Sequence, residues 1–69
     1  MRKPRKAIDF HVQNEGSLYL LTPNTQPARD WVDANLPDDV TRWCGSIVVE
    51  HHYIAEIVNG ILTDGLTVI

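Results

Sequence analysis

The chain has 69 residues, 43% of them apolar, and a formal net charge of −3. That length supports one domain, near the size where burying a core barely offsets the entropy of ordering the chain. A single cysteine excludes an intramolecular disulfide and cannot build a zinc site alone, and no apolar run reaches the ~20 residues of a membrane span. Stability must come from apolar packing, aided by self-association, and the missing disulfides favour a reducing, cytoplasmic setting.

The charge is segregated. Arg2, Lys3, Arg5 and Lys6 hold four of the six basic side chains, and from Ala7 onward only Arg29 and Arg42 stand against nine carboxylates, a net of −7. Residues 1–6 are too polar to pack and read as a disordered basic arm ahead of a single small α+β domain over 7–69. They have the charge of a signal-peptide n-region, but no apolar h-region follows.

Ile8, Phe10 and Val12 alternate with Asp9 and His11, the period of a half-buried strand. Gly16 sits in a short polar loop, and Leu18 to Leu21 forms the return strand of a hairpin. Placing Leu18 and Leu20 on the face of Ile8, Phe10 and Val12 sends Tyr19 and Leu21 to the other face, beside His11. A helix follows, with Thr25 as its N-cap and Pro27 in the first turn. Its inward stripe is Ala28, Trp31, Val32, Asn35 and Leu36, and Pro37 ends it near Asn35.

Cys44 to Val49 is apolar on consecutive positions, as in a central strand covered on both faces. The next helix, Glu50 to Thr63, gathers Ile54, Ile57, Val58, Ile61 and Leu62 within about 140° of arc. Gly65 is its C′ residue, and Leu66 to Ile69 is the last strand. The predicted fold is therefore a two-layer ββαβαβ arrangement. It joins an N-terminal antiparallel hairpin to a C-terminal right-handed βαβ unit, with two helices packed on a four-stranded sheet. A helix on each side of the sheet is the competing arrangement. With both helices on one face, Tyr19, Leu21 and either Val48 or its neighbours form a second face too apolar to stay bare. That face is the predicted self-association surface.

Chemistry is sparse. His52 and Glu56 are four apart on a helix, half of a metal site at best, and His11 and Cys44 have no diagnostic spacing to complete it. His51 is expected at the edge of the apolar stripe. Cys44 reads as a buried structural thiol, because a nucleophile needs exposure and a base in reach. Asp38-Asp39 and Asp30 with Asp33 read as turn and solvated-face residues. Phosphate-binding glycine patterns are absent. Trp31 and Trp43 belong to the core or its rim.

Arg2, Lys3, Arg5 and Lys6 could contact a few phosphates, although a body of net −7 would repel a duplex. The opposite sign offers more: Asp30, Asp33, Asp38 and Asp39 fall within ten residues and could dock on a basic surface. The run Val49-Glu50-His51-His52-Tyr53-Ile54-Ala55-Glu56-Ile57-Val58, the close Asp64-Gly65-Leu66-Thr67-Val68 and the upstream Ala28-Arg29-Asp30-Trp31-Val32 resemble short uncharacterised proteins of proteobacteria and their mobile elements. That resemblance implies no activity and no site residue.

The expectation is a non-enzymatic binding module, an adaptor or inhibitor, with a protein partner or a second copy, no cofactor, no metal and no membrane association. A nucleic-acid accessory protein using the arm is the first alternative. A small enzyme or metal protein using His51, His52, Glu56 or Cys44 is the second.

Overall fold

A computed structural model describes residues 7–69, and the predicted basic arm at 1–6 lies outside the described residues. The order is β1 (Phe10–Asn14), β2 (Leu18–Pro23), α1 (Gln26–Asn35), β3 (Arg42–Trp43), β4 (Ser46–Glu50) and α2 (Ile54–Thr63). The strands form one antiparallel sheet in the order β1-β2-β4-β3, with both helices contributing to a single core. The predicted two-layer α+β fold, its hairpin and its helix pair are thus present.

Local chemistry sets the helix ends. Thr25 is in extended conformation, and its hydroxyl accepts from the Ala28 N–H at 3.2 Å, satisfying one of the unpaired donors of the first turn of α1. At the other end Leu36 donates to the Val32 carbonyl, and Pro37 cannot continue the helix. α2 closes with both bonds of a Schellman motif. Leu66 N–H reaches the Ile61 carbonyl and Gly65 N–H reaches that of Leu62, with Gly65 at φ +85°. The start of α2 differs from expectation. Residues 51–53 form a turn and the helix begins at Ile54.

The third strand also starts later than its apolar run suggests. Cys44 and Gly45 lie outside β4 and form the two-residue turn of a second hairpin, joining β3 to β4. Both have positive φ, 51° and 82°, the combination that suits the twist of a tight hairpin. The sheet's fourth strand is therefore β3. Leu66 to Ile69 instead adds to the outer edge of β1 through one parallel bridge, Phe10 to Val68. It is held by Phe10 N–H to the Thr67 carbonyl (2.9 Å), Ile69 N–H to the Phe10 carbonyl (3.1 Å) and Val12 N–H to the Ile69 carbonyl (2.8 Å). β1 and β4 both run antiparallel to β2, so this tail is parallel to β4, as a strand–helix–strand return requires.

Asp9 locks the tail in place. Its carboxylate accepts from the Thr67 N–H (3.0 Å), the Thr67 hydroxyl (3.1 Å) and the Thr25 hydroxyl (2.6 Å), while its own N–H donates to Thr67 Oγ1 (2.9 Å). One carboxylate, 7% exposed, thereby ties the C-terminal segment to the first strand and to the cap of α1.

The hairpin register decides which residues face the helices. Asn14 pairs with Tyr19 and Val12 with Leu21. An even number of residues, 15–18, separates Asn14 from Tyr19, so even positions of β1 share a face with odd positions of β2. Phe10 and Leu21 (both 0% exposed), with Ile47 and Val49 of β4, then meet Ala28, Trp31, Val32 and Ile61 of the helices. The predicted placement of Tyr19 and Leu21 on the second face is thereby corrected. Leu21 is a core residue, Tyr19 packs against the core, and Leu18 and Leu20 turn outward.

Candidate functional site

With both helices on one side, the opposite side of the sheet has no element over it among the described residues. The cross-strand register places Leu20 beside Val48, with Leu18 two positions from Leu20 on the same strand face. Thr22 and Ser46 pair through their hydroxyls at 2.6 Å on this face, and Trp43 lies opposite Ser46 on β3. Leu18 is 39% and Trp43 60% exposed, so Trp43 belongs to neither the core nor its rim. His11, Gln13 and Glu50 surround the apolar stripe and are exposed. An apolar centre with a polar margin is the anatomy of a protein contact surface.

A second feature opens on the helix side. α1 ends and α2 begins without covering the β3 side of β4, leaving a cavity of about 360 Å³. Leu36, Pro37, Val40, Tyr53 and Ile57 provide much of its apolar lining, and Glu50 and Glu56 are its two carboxylates. Asp38 and Asp39 occupy the turn between Pro37 and Val40, bridged by a Val40 N–H to Pro37 carbonyl contact of 3.4 Å. Asp30 and Asp33 lie on the exposed side of α1, Asp30 accepting from Gln26 at 2.8 Å. All four aspartates of the predicted acidic surface are exposed, and Asp38 and Asp39 are the two whose turn adjoins the cavity.

The residues of the predicted alternatives scatter. His52 approaches Glu50 at 3.7 Å rather than Glu56, because it precedes α2 and the two residues do not share a helix face. Both partners of that contact are well solvated, so its contribution is small. His51 is exposed and stacks on Tyr19, ring centroids 6.2 Å apart, instead of lining the apolar stripe. Cys44 is exposed at its turn rather than buried in a strand. Among the described residues no group of three His, Cys, Asp or Glu side chains could hold a metal ion. The buried polar side chains are committed to structure, Asp9 to the tail and Ser46 to Thr22. The phosphate candidates Arg2, Lys3, Arg5 and Lys6 lie outside the described residues. No described helix is long and apolar enough to cross a membrane.

No family model, curated protein or solved structure matches the chain. The class it can be assigned to is therefore that of its fold, a small two-layer α+β domain.

The cavity is not visible in the sequence because its lining comes from segments up to 21 residues apart, Leu36 to Ile57. Leu18 and Leu20 were visible as apolar residues, and only the loop count could have placed them outside.

Proposed function

We propose that the chain is a small non-enzymatic protein-binding module, an adaptor or inhibitor, that self-associates through the outer face of its sheet. The observation that carries this reading is the uncovered stripe of Leu18, Leu20, Val48 and Trp43. Fully burying a leucine or valine side chain contributes about 1.5–3 kcal/mol, and these side chains retain part of that in solvent. A second copy presents the same stripe, so two-fold packing of sheet on sheet covers both at once. The acidic surface around Asp30, Asp33, Asp38 and Asp39 stays free on the helix side for a different protein.

Sedimentation equilibrium tests the reading. The protein should sediment as a dimer at micromolar concentrations. Leu20→Glu should raise the dissociation constant at least ~100-fold, because each dimer would bury two unpaired carboxylates. The variant's circular dichroism should stay unchanged, since the substituted side chain faces solvent in the isolated domain. A wild-type protein that remains monomeric at hundreds of micromolar contradicts the proposal.

A further inference from the structure

We infer that the cavity between the end of α1, the start of α2 and β4 is a docking pocket for a protein segment carrying one apolar side chain flanked by lysine or arginine. The inference rests on the reading of this chain as a protein-binding module; the pocket borders the self-association stripe and shares Val48 and Glu50 with its surroundings, while its anchor-binding residues Leu36, Val40 and Ile57 lie outside the stripe.

The pocket's shape and charge specify the occupant together. Its volume of about 360 Å³ is within the range of small binding sites. Leu36, Val40 and Ile57, from α1's end, the following loop and α2, are all partly buried hydrophobics packed against the core. An apolar anchor inserted between them extends an existing core and needs no rearrangement. The half-exposed Tyr53 ring, at 50%, supplies a wall that a partner side chain can cover.

Charge then selects among apolar segments. Glu50 ends β4 and Glu56 lies in the first turn of α2, so two carboxylates on different elements line one opening. Asp38 and Asp39 add two more on the turn between two lining residues. Glu50 already meets His52 at 3.7 Å, an exposed contact that a flexible lysine or arginine can displace. The described body has net charge −7, so a cationic segment is drawn toward it and an anionic one repelled. An uncharged apolar peptide would gain only the pocket. A basic segment without an anchor would gain only the screened rim.

Two fluorescein-labelled peptides, Lys-Lys-Leu-Lys-Lys and Lys-Lys-Ser-Lys-Lys, test this with the full chain, read by anisotropy and by ¹H–¹⁵N correlation spectra. The leucine peptide should perturb the amides of Val40, Val49 and Ile57. It should bind at least about tenfold more tightly than the serine peptide, a ratio equal to ~1.4 kcal/mol. Glu56→Lys, an exposed substitution, should weaken the leucine peptide about tenfold, and higher salt should weaken it further. Leu20→Glu should leave peptide affinity within about twofold, since Leu20 does not line the pocket. Equal binding of the two peptides, perturbations confined to the outer sheet face, or no binding below millimolar concentration overturns the pocket. So does self-association that Glu56→Lys abolishes and Leu20→Glu does not, because a second copy would then fill the pocket. If the leucine peptide docks as described while the unliganded chain is monomeric, the pocket stands and the self-association reading falls.

Discussion

Asp9→Ala is expected to lower the unfolding free energy by about 3 kcal/mol, because it removes an acceptor from three donors at once, of which only the Thr67 hydroxyl keeps another partner, the Ala7 carbonyl at 3.2 Å. The Thr67 N–H, the Thr67 hydroxyl and the Thr25 hydroxyl all end on this carboxylate, at 3.0, 3.1 and 2.6 Å. The site is almost closed to water, Asp9 being 7% exposed, so replacement by solvent bonds is incomplete. A domain this small has a total stability near the low end of the ~5–15 kcal/mol range, and the loss would leave it barely folded. The loss should also have a local signature. The Val12 and Ile69 amides, which bond across the tail, should exchange with solvent fastest relative to wild type. Asp9→Asn should cost less, because its carbonyl keeps one acceptor in place. Urea unfolding checks the ranking, and a change below about 0.5 kcal/mol for the alanine variant would place Asp9 among ordinary surface residues.

Trp31→Ala is expected to cost about 3–5 kcal/mol, enough to unfold most of the population. Trp31 joins the helix layer to the sheet. Its ring meets Phe10 edge-on, centroids 6.0 Å apart and planes at 82°, and its indole N–H donates to Asp64 at 2.7 Å just past α2. Gly60 is there to admit it. A Cβ on Gly60 would lie 3.4 Å from Trp31 Cζ2, so α2 rests directly against the indole. The weaker helix propensity of glycine, about 1 kcal/mol against alanine, is offset by that close contact. Trp31→Phe should retain much of the packing and lose the Asp64 bond, falling between wild type and alanine. Far-ultraviolet circular dichroism under increasing urea provides the comparison. Trp43 is 60% exposed and will keep a solvated emission spectrum throughout, so the change in fluorescence reports on Trp31. A folded, wild-type-like Trp31→Ala protein would mean that the two layers do not meet at this ring.

What was legible in the sequence was the chemistry that acts over a few residues. Thr25, Pro27 and Pro37 bound α1, and Gly65 with Leu66 closes α2, because capping and proline geometry need only near neighbours. The alternation of Ile8, Phe10 and Val12 marked β1 for the same reason. Failures occur where the deciding quantity is a count or a distant partner. Whether Leu20 or Leu21 faces the core depends on the number of loop residues between the paired ends of the hairpin, and hydrophobicity cannot decide it because both are leucine. Cys44-Gly45 is an uncommon pair for a tight hairpin turn, so an apolar run that is half turn and half strand reads as strand throughout. Asp9 looked like the polar half of an alternating pattern. Its partner Thr67 is 58 residues away, and nothing local shows that the tail returns to β1. The acid-lined pocket has the same origin, since Leu36, Glu50 and Ile57 converge only once the sheet has formed.

The two faces of this sheet differ in one structural respect: both helices seal one, and no element covers the other among the described residues. Parallel substitution of adjacent leucines tests this difference most directly, by comparing the circular dichroism and urea midpoints of Leu20→Glu and Leu21→Glu. Leu20→Glu should remain folded with a midpoint close to that of monomeric wild type. Leu21→Glu would place a carboxylate at a position of 0% exposure against Phe10 and Ile47, at a cost of several kcal/mol, and should be unfolded without denaturant. The reverse pattern, with Leu21→Glu folded and Leu20→Glu collapsed, would mean that the helices lie on the other side and that the surface proposed for self-association is the core.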